Sequence, residues 1–372
     1  MRLAVVSFDF GEYSVRLANA LAHEAEIALL LPQTHAQAHL PILDRAVNFL
    51  PFSKPRLRQV LQQKAMIFSL LQRIERFHPD VLHVQQGHMW FNFALPLLRH
   101  VPLVMTIHDP RHHIGDKSSQ RTPQIIMDFG FRRAHQVIVH ASSMKQMLVD
   151  RCRISAERVH VIPHIKIGYD SAQDRAREDE CVVLFFGRIW KYKGLEYLIQ
   201  AEPLITSLVP EARIVIAGQG EDFARYRRLM IHPERFIVHN GYISETKCVD
   251  LFQRAAVVVL PYIEASQSGV ISLAYTFRKP VVATTVGGLP EMVEHGRTGY
   301  LVPPGDAGAL AKAIVPLLKD KQLRSQLGSN GRHKIDAECS PEAVAGRTVR
   351  VYHQAMSDFN RTHAHMAIGV AG

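Results

Sequence analysis

The chain has 372 residues, 47% hydrophobic and 21% charged, with 44 Lys and Arg against 34 Asp and Glu. That mixture excludes disordered, collagen-like and low-complexity chains, and the length suits two domains, each with its own core. The formal charge of +10 points to an anionic partner, and the excess sits early, because residues 1–172 hold 20 basic and 13 acidic side chains.

Met1–Phe8 is too short an apolar stretch for a signal peptide and reads as a first β-strand. Leu3–Phe8, Ile27–Leu31, Val81–Val84, Leu103–Ile107, Val137–Val139 and Val159–Ile162 form a first series of strands, separated by helical-period segments. Within that series Pro55–His78 reads as a basic amphipathic helix, with Leu57, Val60, Leu61, Phe68 and Leu71 at helical spacing and Arg56, Arg58, Lys64, Arg73 and Arg76 among them. A core-packed helix with a solvated face explains it, and so does docking on an anionic membrane surface.

After Lys166–Tyr169 comes the polar stretch Asp170–Glu180, without apolar periodicity, which reads as a linker. The strand pattern then restarts with Val182–Phe186, Arg213–Ala217, Phe236–Val238, Val257–Leu260 and Val281–Ala283, and Leu195–Leu208 and Glu245–Arg254 read as helices. The expectation is an α/β chain of two Rossmann-like, doubly wound domains, over 1–170 and 175–340, facing a central cleft where ligands meet the carboxyl ends of the strands.

The second series carries the densest chemistry. Phe186-Gly187-Arg188 ends a strand, and Lys193 follows five residues after Arg188, ahead of a helix. A planar guanidinium and a compact ammonium at a strand's carboxyl end suit a diphosphate, although a solvated basic loop has the same composition. Gly218 and Gly220 end the next strand, where missing side chains permit close backbone approach. Glu264, Ser266, Gln267, Ser268, Gly269 and Val270 stand where a helix should begin and expose backbone N–H groups to an anion. Gly287-Gly288-Leu289-Pro290-Glu291 ends a further strand with an acid, and Gly296–Asp306 closes the segment.

This ordered series resembles the C-terminal half of family 4 (group 1) glycosyltransferases, which have the GT-B fold. Thinner matches precede it at Pro79–Val84, Thr106–Asp109, Ala134–Val139 and Val161–His164. The resemblance implies that the second domain holds a nucleotide-diphosphate sugar, with Arg188 and Lys193 on the diphosphate, the backbone at Tyr242 and Ile243 on the nucleobase, and Glu264 and Glu291 in the donor site. It implies that Gly11 lies in a donor-phosphate loop and that His108 faces the transferred sugar. It also implies that a C-terminal segment, 341–372, crosses back onto the first domain. The chain departs from the family pattern where Gln267-Ser268-Gly269 replaces the usual Phe-Gly and Leu273-Ala274 stands where a second Glu is expected on the ribose.

The activity so implied is transfer of a hexose to a glycan or lipid-linked acceptor with retention of configuration, in bacterial-type polysaccharide or lipopolysaccharide synthesis. The alternatives are a GT-B epimerase or phosphorylase, or a non-catalytic nucleotide-sugar-binding protein. No cofactor is expected beyond the nucleotide sugar as co-substrate. No metal is expected either: there is no Asp-x-Asp motif, and His83, His88, His112 and His113 lack the spacing of a ligand set. Nothing matches a nucleic-acid motif. Cys152, Cys181, Cys248 and Cys339 are scattered, and the longest apolar runs fall short of the ~18 residues that span a bilayer, so the expected location is the cytoplasm, either free or peripheral on the inner membrane face through 55–78.

Overall fold

The structure, a computed structural model, describes residues 1–114, 122–168 and 178–369. Most of the expected linker lies outside them. The described residues fall into two units, one of Met1–His112, 122–165 and the chain from Cys339, the other of His113, Ile114, 166–168 and 178–338.

The first unit is built on seven parallel strands, β1 Arg2–Ser7, β2 Glu26–Pro32, β3 Asn48–Phe52, β4 Val81–Gln85, β5 Leu103–Thr106, β6 Gln136–Val139 and β7 Val159–Val161, in the order β3-β2-β1-β4-β5-β6-β7. Strands sandwiched between helices bury both faces, which is why β4, β5 and β6 are buried at every position and carry runs of Val, Leu, Ile and Met. Val5 of β1 lies opposite Leu29 on one side and His83 on the other. The long helix Pro341–Gly369 packs against the helix Gly11–Leu21 and against β4, β5 and β6. It buries Val351, Tyr352 and Ala355, and Tyr352 Oη sits 2.7 Å from His83 Nδ1.

The second unit repeats the plan with β8 Val182–Phe186, β9 Arg213–Gly218, β10 Phe236–Asn240, β11 Val257–Leu260, β12 Val281–Thr284 and β13 Gly299–Val302, ordered β10-β9-β8-β11-β12-β13. In each sheet the order reverses beside the first strand, between β1 and β4 and between β8 and β11. A reversal of this kind opens a crevice at the strands' carboxyl ends and sets where a ligand binds.

Two strands, β3 and β13, have no counterpart in the sequence reading. Both are sheet edges, and β3 carries Pro51 while β13 opens on Gly299, residues that blur a strand signal and that edges tolerate. The basic helix is shorter than its pattern, Val60–Phe77 in place of Pro55–His78. Its buried residues are Gln63, Met66, Leu70, Ile74 and Phe77, whereas Leu61 and Phe68 are 80% and 63% exposed.

Candidate active site

At the carboxyl edge of the second sheet the chain leaves β8 through Gly187, φ 114°, and turns past Arg188 into the short turn Lys191–Lys193. Gly194, φ 61°, then starts the helix Leu195–Thr206. A side chain there would meet the Pro261 carbonyl oxygen at 2.0 Å, so the positive φ and the close approach both demand glycine. This crossing fixes Lys193 beside the end of β11.

Lys193 Nζ lies 3.7 Å from the centre of the Tyr262 ring and 4.9 Å from that of Tyr192, a two-ring shelf that holds an ammonium. Arg188 is exposed, and its Nη2 donates to Tyr192 Oη at 3.0 Å. Tyr262 is buried, which pushes its phenol up, and its hydroxyl lies 3.2 Å from Ser268 Oγ. The Tyr192 carbonyl accepts from Ile263 N–H at 2.9 Å, which ties the two loops together. Two cations and their aromatic supports are thus set by backbone contacts between the loops after β8 and β11.

The helix Gly269–Thr276 starts next to them. Ser268 occupies its N-cap position but makes no side-chain capping bond, its hydroxyl lying against Tyr262; Ile271 N–H donates to the Ser268 carbonyl at 3.2 Å, so the N–H groups of Gly269 and Val270 are the ones placed to meet an anion. Gln267 Oε1 is buried without a hydrogen-bond partner. Glu264 lies 3.3 Å from His113 Nδ1 and accepts from Ile114 N–H at 3.4 Å, and the Glu264 and His113 side chains are at most one-tenth exposed. Ser266 Oγ is 3.5 Å from His113 Nε2, and the His113 ring stacks on Tyr192 at 4.6 Å. Glu291 is exposed in the first turn of Leu289–Met292.

Gly218 and Gly220 serve the backbone. A side chain on Gly218 would strike the Gly187 carbonyl oxygen at 1.8 Å, and one on Gly220 that of Ile189 at 1.9 Å, because the β8 and β9 loops continue to pair past the strands. Beyond β10, Tyr242 is 87% exposed and Ile243 half-buried.

In the first unit Gly11 opens the helix Gly11–Leu21, where a side chain would meet the His35 carbonyl oxygen at 2.2 Å. His108, two residues past β5, is fully buried beneath Phe10, ring centres 3.7 Å apart. Its Nε2 is 2.9 Å from Gln85 Oε1 and its Nδ1 3.1 Å from His140 Nε2, so no ring nitrogen is left over. Burial and the neighbouring histidines hold its basicity well below the usual value. His83 is lowered to about 3 and His88 to about 4 by burial, and His88 stacks on Phe8 with neither ring nitrogen hydrogen-bonded.

The sequence reading gave no role to Tyr192 and Tyr262, or in the first unit to His140 and His164, and it weighed His113 only as a metal ligand. The aromatic pair carries a signal only once Lys193 is known to lie over it. The histidines each follow a strand by one to three residues, a pattern that becomes visible when β5, β6 and β7 are known to be neighbours.

Residues 180–320 match the family described as group 1 glycosyl transferases, and residues 11–165 match glycosyltransferase family 4. The chain is 27% identical over 289 residues to an alpha-D-kanosaminyltransferase of Streptomyces kanamyceticus, covering 71% of this chain and 74% of that one. It is 28% identical over 296 residues to a glycogen synthase of Mycobacterium tuberculosis, covering 74% and 69%. Among solved structures, sucrose-phosphate synthase from Thermosynechococcus elongatus superposes with a TM-score of 0.75 at 20% identity, over 96% of this chain and 100% of that one. Anabaena Alr3699/HepE, solved with UDP-glucose, gives 0.71 at 18% identity over 94% and 99%.

Proposed function

Since the chain belongs to the family 4, group 1 glycosyltransferases and has their GT-B fold, we propose that it moves a hexose from a nucleotide-diphosphate sugar to a glycan or lipid-linked acceptor, with retention of configuration, in polysaccharide or lipopolysaccharide synthesis. The observation that carries this reading is the pair Arg188, bonded to the Tyr192 hydroxyl, and Lys193, held on the Tyr192 and Tyr262 rings, beside the start of the helix Gly269–Thr276. In this reading the C1–O bond to the diphosphate breaks and the sugar carries developing positive charge. The departing diphosphate gathers negative charge against the two cations and the helix N–H groups, which are already oriented when that charge appears. The acceptor hydroxyl attacks C1 on the face the diphosphate vacates, and a diphosphate oxygen takes its proton. A UDP-glucose complex of a structural neighbour supports a nucleotide sugar as donor.

Glu264 positions the donor loop through His113 and Ile114, and Gln267 Oε1 offers an unmet acceptor to a sugar hydroxyl. We give the His108 ring no proton-transfer step, because both nitrogens are taken up inside the first unit.

No helix among the described residues is long and apolar enough to cross a membrane. Leu61 and Phe68 stand on the solvent side of Val60–Phe77 with Lys64 between them, which supports reversible docking of a cytoplasmic enzyme on an anionic surface. Incubation with a panel of labelled nucleotide sugars, followed by product analysis, tests the assignment. The expected result is a glycosylated acceptor, its new bond of the donor's anomeric configuration, and one nucleoside diphosphate released per transfer. Interconversion of the donor without acceptor, or phosphate-dependent release of a sugar phosphate, would replace it.

A further inference from the structure

Three adjacent strands of the first sheet each deliver a histidine just past their carboxyl ends: His108 two residues after β5, His140 one after β6 and His164 three after β7. All three are buried, and one nitrogen from each lies within 4.8 Å of the others. The remaining nitrogens point away and meet oxygens. His108 Nε2 faces Gln85 Oε1 at 2.9 Å, His140 Nδ1 the Ile162 carbonyl at 3.0 Å, and His164 Nδ1 the Ile165 carbonyl at 2.8 Å. With each outer nitrogen donating to its oxygen, each inner nitrogen is a lone pair, and three lone pairs converge. Histidine ligands of metals are held in this way, the outer N–H fixed on a carbonyl oxygen.

We propose that His108, His140 and His164 bind one divalent transition-metal ion of the zinc class, beside the buried Tyr13 ring that packs against all three imidazoles. Imidazole suits this class, and three histidines are a familiar zinc ligand set. Two nitrogens each about 2.05 Å from a tetrahedral ion stand about 3.3 Å apart, and His108 Nδ1 and His140 Nε2 are already separated by 3.1 Å. The metal-free arrangement fits less well. If His140 Nδ1–H donates to Ile162, His140 Nε2 must accept from His108 Nδ1–H. His108 Nε2 then presents a lone pair to Gln85 Oε1, acceptor against acceptor, unless the Gln85 amide is reversed. An ion removes the conflict and joins the loops after β5, β6 and β7. All three ligands belong to the first unit and the diphosphate clamp to the second, so neither assignment depends on the other.

The test uses the untagged full chain, stripped of metal and titrated with Zn²⁺ and with Co²⁺. Expected are one zinc ion per chain by elemental analysis, a rise in melting temperature on addition, and a Co²⁺ visible spectrum of the intense, low-coordinate type. His140→Gln and His164→Gln should each weaken zinc binding at least about tenfold, and Gln85→Leu, which removes an outer partner, about tenfold. Each metal-free variant is compared with metal-free wild type by circular dichroism, and where a variant does not fold, the wild-type stoichiometry and Co²⁺ spectrum decide. Failure of the wild type to take up one equivalent at micromolar zinc, an octahedral Co²⁺ spectrum, or undiminished binding in folded His140→Gln and His164→Gln overturns the proposal.

Discussion

Arg188 and Lys193 are loop cations placed against one tyrosine hydroxyl and two ring faces, and ion contacts of loop cations contribute little to stability. Their worth appears only when a diphosphate is present. Arg188→Ala and Lys193→Ala should each lower kcat/KM by about 10²–10³, as loss of an oriented donor to a developing anion does, with the melting temperature nearly unchanged. Steady-state kinetics beside a thermal melt separates the two effects. Histidine burial sets a different residue-scale outcome. His83 keeps its neutral form down to about pH 3 when folded, whereas in the unfolded chain it takes a proton near its ordinary 6.5. The unfolded state therefore binds more protons as pH falls below 6.5, and stability drops on the acid side by about 1.4 kcal/mol per pH unit for such a group. Urea melts at pH 7 and pH 5 should show His83→Phe losing about 2 kcal/mol less than wild type over that interval.

At the scale of elements, the loop crossings make specific demands. Gly287 has φ 52°, and a side chain there would lie 1.7 Å from the Ala265 carbonyl oxygen. Gly287→Ala should cost about 2 kcal/mol or more, from the left-handed backbone together with the displaced Ala265 loop, and should reduce activity because that loop precedes Ser266 and Gln267. Chemical denaturation measures the first effect and turnover the second. The helix Val60–Phe77 shows where sequence pattern and packing part company. Spacing alone places Leu61 and Phe68 in one apolar stripe, but the core takes up Met66, Leu70 and Ile74 and leaves those two residues in solvent. An exposed Leu and Phe next to Lys64 should bring the protein down with anionic vesicles at low salt and release it at high salt, each surface cation contributing about 1 kcal/mol. Replacing Arg56, Arg58 and Lys64 by Gln should weaken sedimentation without altering nucleotide affinity, and wild type that ignores anionic vesicles would mark the helix as merely solvated.

For the molecule as a whole, the doubled parallel sheet was legible because buried parallel strands are near-continuous apolar runs, as in Val257–Leu260 and Val182–Phe186. Two edge strands, β3 and β13, were not, since they carry Pro51 and Gly299 in place of such a run, whereas the other two edges, β7 and β10, were read. Glu264, Ser266 and Ser268 were legible as members of one loop, while the shelf of Tyr192 and Tyr262 and the histidines after β6 and β7 depend on distances that only the folded sheets create. The expectation of no metal rested on the missing Asp-x-Asp motif and on other histidines than the cluster proposed to hold one. The donor clamp proposed above consists of cations and N–H groups, so turnover should change less than about twofold on adding Mg²⁺ or Mn²⁺.

Everything proposed for the donor side depends on a nucleotide sugar being held by its diphosphate on Arg188 and Lys193. Calorimetry of nucleoside diphosphate beside the matching nucleoside, on wild type and on the Arg188→Ala/Lys193→Ala double variant, measures that dependence. Wild type should bind the diphosphate at least about tenfold more tightly than the nucleoside, and the double variant should lose that margin while still folding, since a single charge-assisted bond is worth about 1.5–3 kcal/mol. Equal affinity for the diphosphate in wild type and double variant would remove the clamp from these two residues.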